Sequence, residues 1–235
     1  MTLGRFYGIG LGPGNPELLT LKARKVLEEV EVVCAPKSRK GRRSIALQMV
    51  KPLIGNKEII TPLFPMRRDP EVLRPYWEKA VESIYEKLCE GKDVAFVTIG
   101  DPTFYSTYTC IMETIRERYP EVEIETVPGV ASLLACFAGL NLSLVDRDEK
   151  LAVLPAEYGL EGLDELSKVF DTIVLMKVSR SFKKIVEKLD RLGLKKDAIF
   201  VSKCGTRGFF SSPLHKLKGK KADFLSMIII KGKKK

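Results

Sequence analysis

The sequence predicts an α/β protein, and three observations carry that prediction. Strand-like runs rich in Val, Ile and Phe recur along the chain, with helix-patterned segments between them. Turns containing glycine and proline follow several of these runs directly. Hydrophobic residues fill 45% of the 235 positions, enough for packed cores.

Taken in order, the first strand is RFYGIG (5–10), which runs into the glycine- and proline-rich stretch that ends at Thr20. The segment 16–30 then reads as one helix, with Asn15 as N-cap, Pro16 at the first helical position, and Leu18, Leu21 and Val26 at helical intervals. Strands follow at EVVCA (31–35) and KEIITP (57–62), then a long helix over 71–90 that Gly91 stops. DVAFVTI (93–99) is the most apolar strand of the first half. A third helix spans 105–119 and ends before Pro120. The remaining strands are EIETV (123–127), KLAVL (150–154), TIVLM (172–176), AIFVSK (198–203) and SMIIIK (226–231). The chain divides near residue 122, where a helix ends and a new strand–turn–helix run begins. The resulting domains, 1–122 and 123–235, are each large enough for a core of their own.

Composition narrows the function. Forty Lys and Arg against thirty Asp and Glu give a net charge of +10, which calls for an acidic partner such as nucleic acid, an anionic surface or a polycarboxylate. A single histidine, His215, argues against a histidine metal site and a Ser-His-Asp triad. The five cysteines are scattered through apolar stretches and read as core residues, with no disulfide framework or zinc spacing. No signal-like start and no apolar run of about 20 residues is present, so the expected location is the cytosol, away from any membrane.

GIGLGPGNPELLT, Gly8 to Thr20, invites comparison with nucleotide loops and fails it. The dinucleotide fingerprint needs glycines at i, i+2 and i+5, and Pro13 or Asn15 stands in the third place. No Gly-Lys-Ser/Thr follows either. In VTIGDPTFYST (97–107) an apolar strand runs straight into Gly100-Asp101-Pro102, at the carboxyl end of a sheet strand, where open α/β sheets bind ligands; an ordinary capped helix start fits the same residues. VPGVASLLACFAGL (127–140) repeats the construction, with Ser132 in the first helical turn. LMKVSRS (175–181) and SKCGTRGFFSS (202–212) are further turns, each equally readable as core and connection.

The ordered set is specific. A GxGPGxxxLLT loop, a strand ending in GDP followed by YST, a PGVAS turn, a strand ending in Met and a late CGT turn together resemble the tetrapyrrole methylase family over essentially the whole chain. The resemblance implies two α/β domains with a ligand cleft between them, S-adenosyl-L-methionine as methyl donor, and a homodimer. GDPTFYSTYT and YGIGLGPGNPELLTLKA look most like the branch that methylates C20 of precorrin-2 or its cobalt-containing counterpart. On the matching motifs, Pro13, Ile99, Gly100, Asp101, Phe104, Ala131, Ser132, Met176 and Gly205 are implied to surround the donor. At Ala131 the family commonly has Ser or Thr, so the implied contact there is through backbone. Gly12, Ser106 and Thr107 are implied to face the substrate.

An activated sulfonium donor and an electron-rich acceptor carbon need alignment more than a protein nucleophile, which accounts for the missing catalytic histidines. A base for the C20 proton is left open among Asp101, Tyr105 and Glu157. The acceptor carries many carboxylates, and the basic run PKSRKGRRS offers Arg39, Arg42 and Arg43 to them, although a solvated loop reads the same way. Any cobalt belongs to the substrate, with no protein-bound metal implied. The alternatives are another ring position, diphthine synthesis or ribosomal RNA 2'-O-methylation; the last lacks an aromatic-and-basic motif for stacking bases. A non-catalytic binding module is the remaining class.

Overall fold

The computed structural model describes residues 2–39, 41, 44–67, 69–156, 160–217, 222–223 and 225–232. Backbone contacts divide the chain into two compact units, Met1–Ser132 and Leu133–Lys235. The division falls ten residues beyond the expected one. The strand at 124–127 pairs with the first strand of the chain and so belongs to the first sheet.

The first unit holds β1 (Phe6–Gly10), α1 (Leu21–Glu29), β2 (Val32–Cys34), α2 (Ile45–Ile54), β3 (Glu58–Ile60), α3 (Pro70–Cys89), β4 (Val94–Thr98), α4 (Tyr108–Arg118) and β5 (Ile124–Val127). The five strands form a parallel sheet in the order β3-β2-β4-β1-β5. Both faces are covered, which is why β4 is apolar throughout rather than alternating. Val94 and Phe96 pack with Ala80, Ile84 and Ile111 of α3 and α4, whereas Ala95 and Val97 pack with Ala23, Leu27 and Val50 of α1 and α2.

Two helix expectations change. The segment 16–30 is split: Asn15 caps only a 3-10 turn, Pro16–Leu18, by accepting from the Glu17 N–H at 3.1 Å. Leu19 is extended, and Thr20 caps α1 by accepting from the Ala23 N–H at 3.1 Å. The helix expected from 105 begins at Tyr108, because Tyr105 takes φ 51° and continues the turn after β4. The helix expected over 71–90 appears one residue early at Pro70, capped by Asp69.

The second unit contains α5 (Ser132–Leu140, whose first residue closes the first unit), β6 (Leu151–Pro155), α6 (Leu163–Val169), β7 (Thr172–Met176), α7 (Phe182–Arg191), β8 (Ala198–Ser202), β9 (Phe210–Pro213) and β10 (Ser226–Lys231). Its sheet runs β6-β7-β10-β8-β9 and is mixed, since β10 is antiparallel to both β7 and β8. Sequence reading gave no strand at 210–213. FSSP forms a strand only by pairing with β8 at the sheet edge. The expectation of five core thiols is corrected as well: Cys136 and Cys204 are joined in a disulfide, and Cys34, Cys89 and Cys110 are free. Their 68-residue separation hid the pair, because tertiary folding alone brings them together.

Candidate functional site

Strand order positions the site. Because β4, β1 and β5 are adjacent and parallel, the turns that leave their carboxyl ends, beginning at Ile99, Leu11 and Pro128, lie side by side. Backbone locks the first two together: Gly12 donates to the Gly100 carbonyl at 3.2 Å, and Gly100 donates to the Gly12 carbonyl at 2.7 Å. The third turn presses on both. A Cβ on Gly129 would stand 2.3 Å from the Gly100 carbonyl oxygen, and one on Gly10 would stand 2.5 Å from the Gly129 nitrogen. Only hydrogen at these α-carbons permits the packing.

Asp101 ties the cluster. One carboxylate oxygen accepts from the Gly129 N–H at 3.0 Å, and the other from the Thr103 N–H at 2.8 Å and from the Thr103 hydroxyl. Partial burial pushes the Asp101 pKa up, but the three hydrogen bonds outweigh it and hold the group below the ordinary aspartate range. Asp101 is therefore an ionised latch between the GDP and PGV turns, poorly suited to accept a proton at neutral pH. Tyr105, the other candidate base, is exposed, has positive φ, and stacks edge-on against Phe104 with centroids 4.8 Å apart.

Gly100 has φ 78°, and an added Cβ would meet nothing nearer than the Ser132 nitrogen at 4.0 Å. No side chain stands within 4 Å of that position, so the main chain at Gly100 is open to approach. Pro13, next to Gly12 in sequence, is buried, whereas Ile99, Phe104, Ala131 and Ser132 are half-buried. These residues, with Gly12 and Asp101, are thus gathered on one edge of one sheet.

Other expected site residues are placed differently. The Ser106 hydroxyl accepts from the Tyr108 N–H at 3.1 Å and lies 3.0 Å from the Thr98 hydroxyl, one residue ahead of Thr107, the N-cap of α4. Thr107 and Arg39 are exposed. Arg42, Arg43 and Glu157 lie outside the described residues. Met176 ends β7 and Gly205, at φ 68°, turns the chain after β8. Both strands are antiparallel to β10, so these two residues share one edge of the second sheet, separated by a single strand.

Sequence reading missed Tyr108 and Gly8. The Tyr108 ring is fully buried, its hydroxyl sits 2.6 Å from Thr126 Oγ1, and a Cβ on Gly8 would fall 2.1 Å from that ring. The signal was present, since the opening GIG carries one glycine more than the turn itself needs, but its cause lies a hundred residues downstream.

Two α/β units, the first with a parallel sheet and the second with a mixed one, agree with the fold class that the resemblance implied. Residues 5–217 match the Tetrapyrrole (Corrin/Porphyrin) Methylases, and the chain belongs to that family. It is 43% identical over 201 residues to the probable cobalt-precorrin-2 C(20)-methyltransferase of Methanocaldococcus jannaschii, covering 83% of this chain and 84% of the relative. It is 31% identical over 206 residues to the cobalt-precorrin-2 C(20)-methyltransferase of Salmonella typhimurium, covering 87% and 86%. Among solved structures, the uroporphyrin-III C-methyl transferase from Thermus thermophilus complexed with S-adenyl homocysteine shares the fold at TM-score 0.69 and 23% identity, over 98% of both chains.

Proposed function

We propose that this chain transfers a methyl group from S-adenosyl-L-methionine to C20 of cobalt-precorrin-2 in cobalamin biosynthesis. The observation that carries the reading is the identity to the Methanocaldococcus jannaschii relative over more than four fifths of both chains. The Salmonella typhimurium relative bears the same reaction in its name.

The donor supplies a methyl group already activated on a sulfonium sulfur. The chain supplies its placement, through the backbone at Gly100, Ala131 and Ser132, the side chains of Pro13, Ile99 and Phe104, and Met176 and Gly205 of the second unit. Asp101 holds two of these turns in register. Fixing donor and acceptor in line can be worth about 7–11 kcal/mol of the barrier. Of the candidate bases, Asp101 is engaged as the latch between the turns, which leaves Tyr105 among the described residues. In this reading Gly12, Ser106, Thr107 and the arginines 39, 42 and 43 contact the substrate, the arginines through its carboxylates. A homodimer accompanies the reading on family resemblance, and a cytosolic location on the sequence expectation; among the described residues no helix is long and apolar enough to cross a membrane.

The test is transfer of label from methyl-labelled donor to cobalt-precorrin-2, followed by locating the methyl on the product. Label at C20 is expected. Label at another ring position overturns the C20 assignment and keeps the family, and donor binding without transfer favours a binding module.

A further inference from the structure

The turn after β8 is fastened to α5 at two points. Cys204 is bonded to Cys136, with α-carbons 4.9 Å apart, and the Phe209 ring lies 3.4 Å from the place of a Cβ on Gly139. Cys136 and Gly139 are three residues apart and so share one face of α5. Between the fastenings the chain closes on itself: Thr206 donates its N–H and hydroxyl to the Lys203 carbonyl at 3.2 and 2.8 Å, and Phe209 donates to the Thr206 carbonyl at 3.1 Å. Lys203 holds φ 54°, a conformation that an L-residue keeps only when its surroundings enforce it. Asp223 enforces it from the other side, accepting from the Ser202, Ser226 and Leu225 donors at 3.1, 2.9 and 3.0 Å and pairing with Lys203 at 3.7 Å. Met227 Sδ lies 3.4 Å from Cys136 Sγ and seals the bond from solvent.

We propose that the Cys136–Cys204 disulfide is a positioning clamp for methyl-donor binding, holding the Gly205 turn on α5 in its binding conformation. The inference rests on Gly205 being a donor residue, as in the proposed function. A pre-ordered turn binds without having to be ordered by its ligand, so the clamp acts on donor affinity rather than on the chemical step. Opening it is a two-electron exchange: a dithiol reductant gives two electrons and two protons to the sulfurs, leaves two thiols on Cys136 and Cys204, and departs as its own cyclic disulfide. Because both cysteines are buried, the bond is a standing part of the site that reductant reaches only on local opening.

Three measurements on the full chain test the clamp. Thiol titration of unreduced, denatured protein is expected to find three thiols; five would overturn the proposal. Amide exchange in 203–209 is expected to accelerate on reduction with dithiothreitol and in the Cys136→Ser/Cys204→Ser double variant, and to recover on reoxidation of the wild type; unchanged exchange overturns it. S-adenosylhomocysteine is expected to bind the opened forms about five- to tenfold more weakly, with KM for the donor raised and kcat retained, the usual signature of losing a pre-ordered loop. Equal affinity overturns the link to the donor. Absence of binding to the oxidised wild type overturns the donor reading itself, and the exchange data still decide the clamp.

Discussion

The two units solve the same problem, holding a turn open at the carboxyl end of a strand, by different means. In the first, all strands are parallel, so the turns after β4, β1 and β5 meet directly and interlock through backbone, with Gly10, Gly100 and Gly129 at the contacts. In the second, β10 runs antiparallel between β7 and β8, so the carboxyl ends of those two strands are not adjacent, and side chains fasten the Gly205 turn instead. Charge differs as sharply. Residues 1–132 carry 19 Lys and Arg against 18 Asp and Glu, whereas residues 133–235 carry 21 against 12. The basic character that suggested an acidic partner is therefore a property of the second unit, and the basic loop at 36–44 is largely balanced by acids elsewhere in the first.

The contrast can be broken most severely at Gly129. Gly129→Val drives a side chain into the Gly100 carbonyl and is expected to cost at least about 3 kcal/mol, with loss of methyl transfer, read by chemical denaturation and the labelled-donor assay. Gly193→Ala in the second unit, at φ 71° with nothing within 4 Å, has only backbone strain to oppose it and should cost about 1 kcal/mol. Equal effects would show that the first unit is not held by glycine contacts.

Removing the disulfide is the next largest change. With the cysteines 68 positions apart, chain entropy assigns the cross-link about 4 kcal/mol, expected to appear in denaturation of the second unit while the first keeps its midpoint. Tyr108→Phe should cost the first unit about 1 kcal/mol, because it leaves Thr126 without its partner and keeps the ring that fills the space over Gly8.

The pH response sharpens the comparison further. The folded pKa of Asp101 is depressed, so its stabilisation is present above the ordinary aspartate range of about 4 and is lost as pH falls through the folded value. Asp101→Asn removes that contribution at neutral pH and should flatten the acid limb of the first unit alone. The smallest effect is expected at Lys183, 92% exposed and 4.0 Å from Glu187: Lys183→Ala should leave the melting temperature unchanged within error.

Legibility followed the same division. Nine of the strands were readable, because β-branched runs bounded by turns are local patterns, and the GDP and PGV turns were readable because they follow those strands directly. The latch between them was not. Nothing in GDPTFYST says that Asp101 reaches Gly129, and Asp101 as a candidate base and Asp101 as a cross-brace have the same local sequence. The contacts of Ser106 with the Thr98 hydroxyl and the Tyr108 N–H were equally hidden in the local sequence.

Local sequence carries the α/β alternation, the turns after the strands, and through their order the family. Tertiary structure alone decided that β5 closes the first sheet, that FSSP is an edge strand, that Cys136 meets Cys204, and that Gly8 makes room for Tyr108. The physical reason is range. Propensity, capping and hydrophobic period act over a few residues, whereas these four features are contacts between segments that the chain separates and only the packed sheets bring within bonding distance.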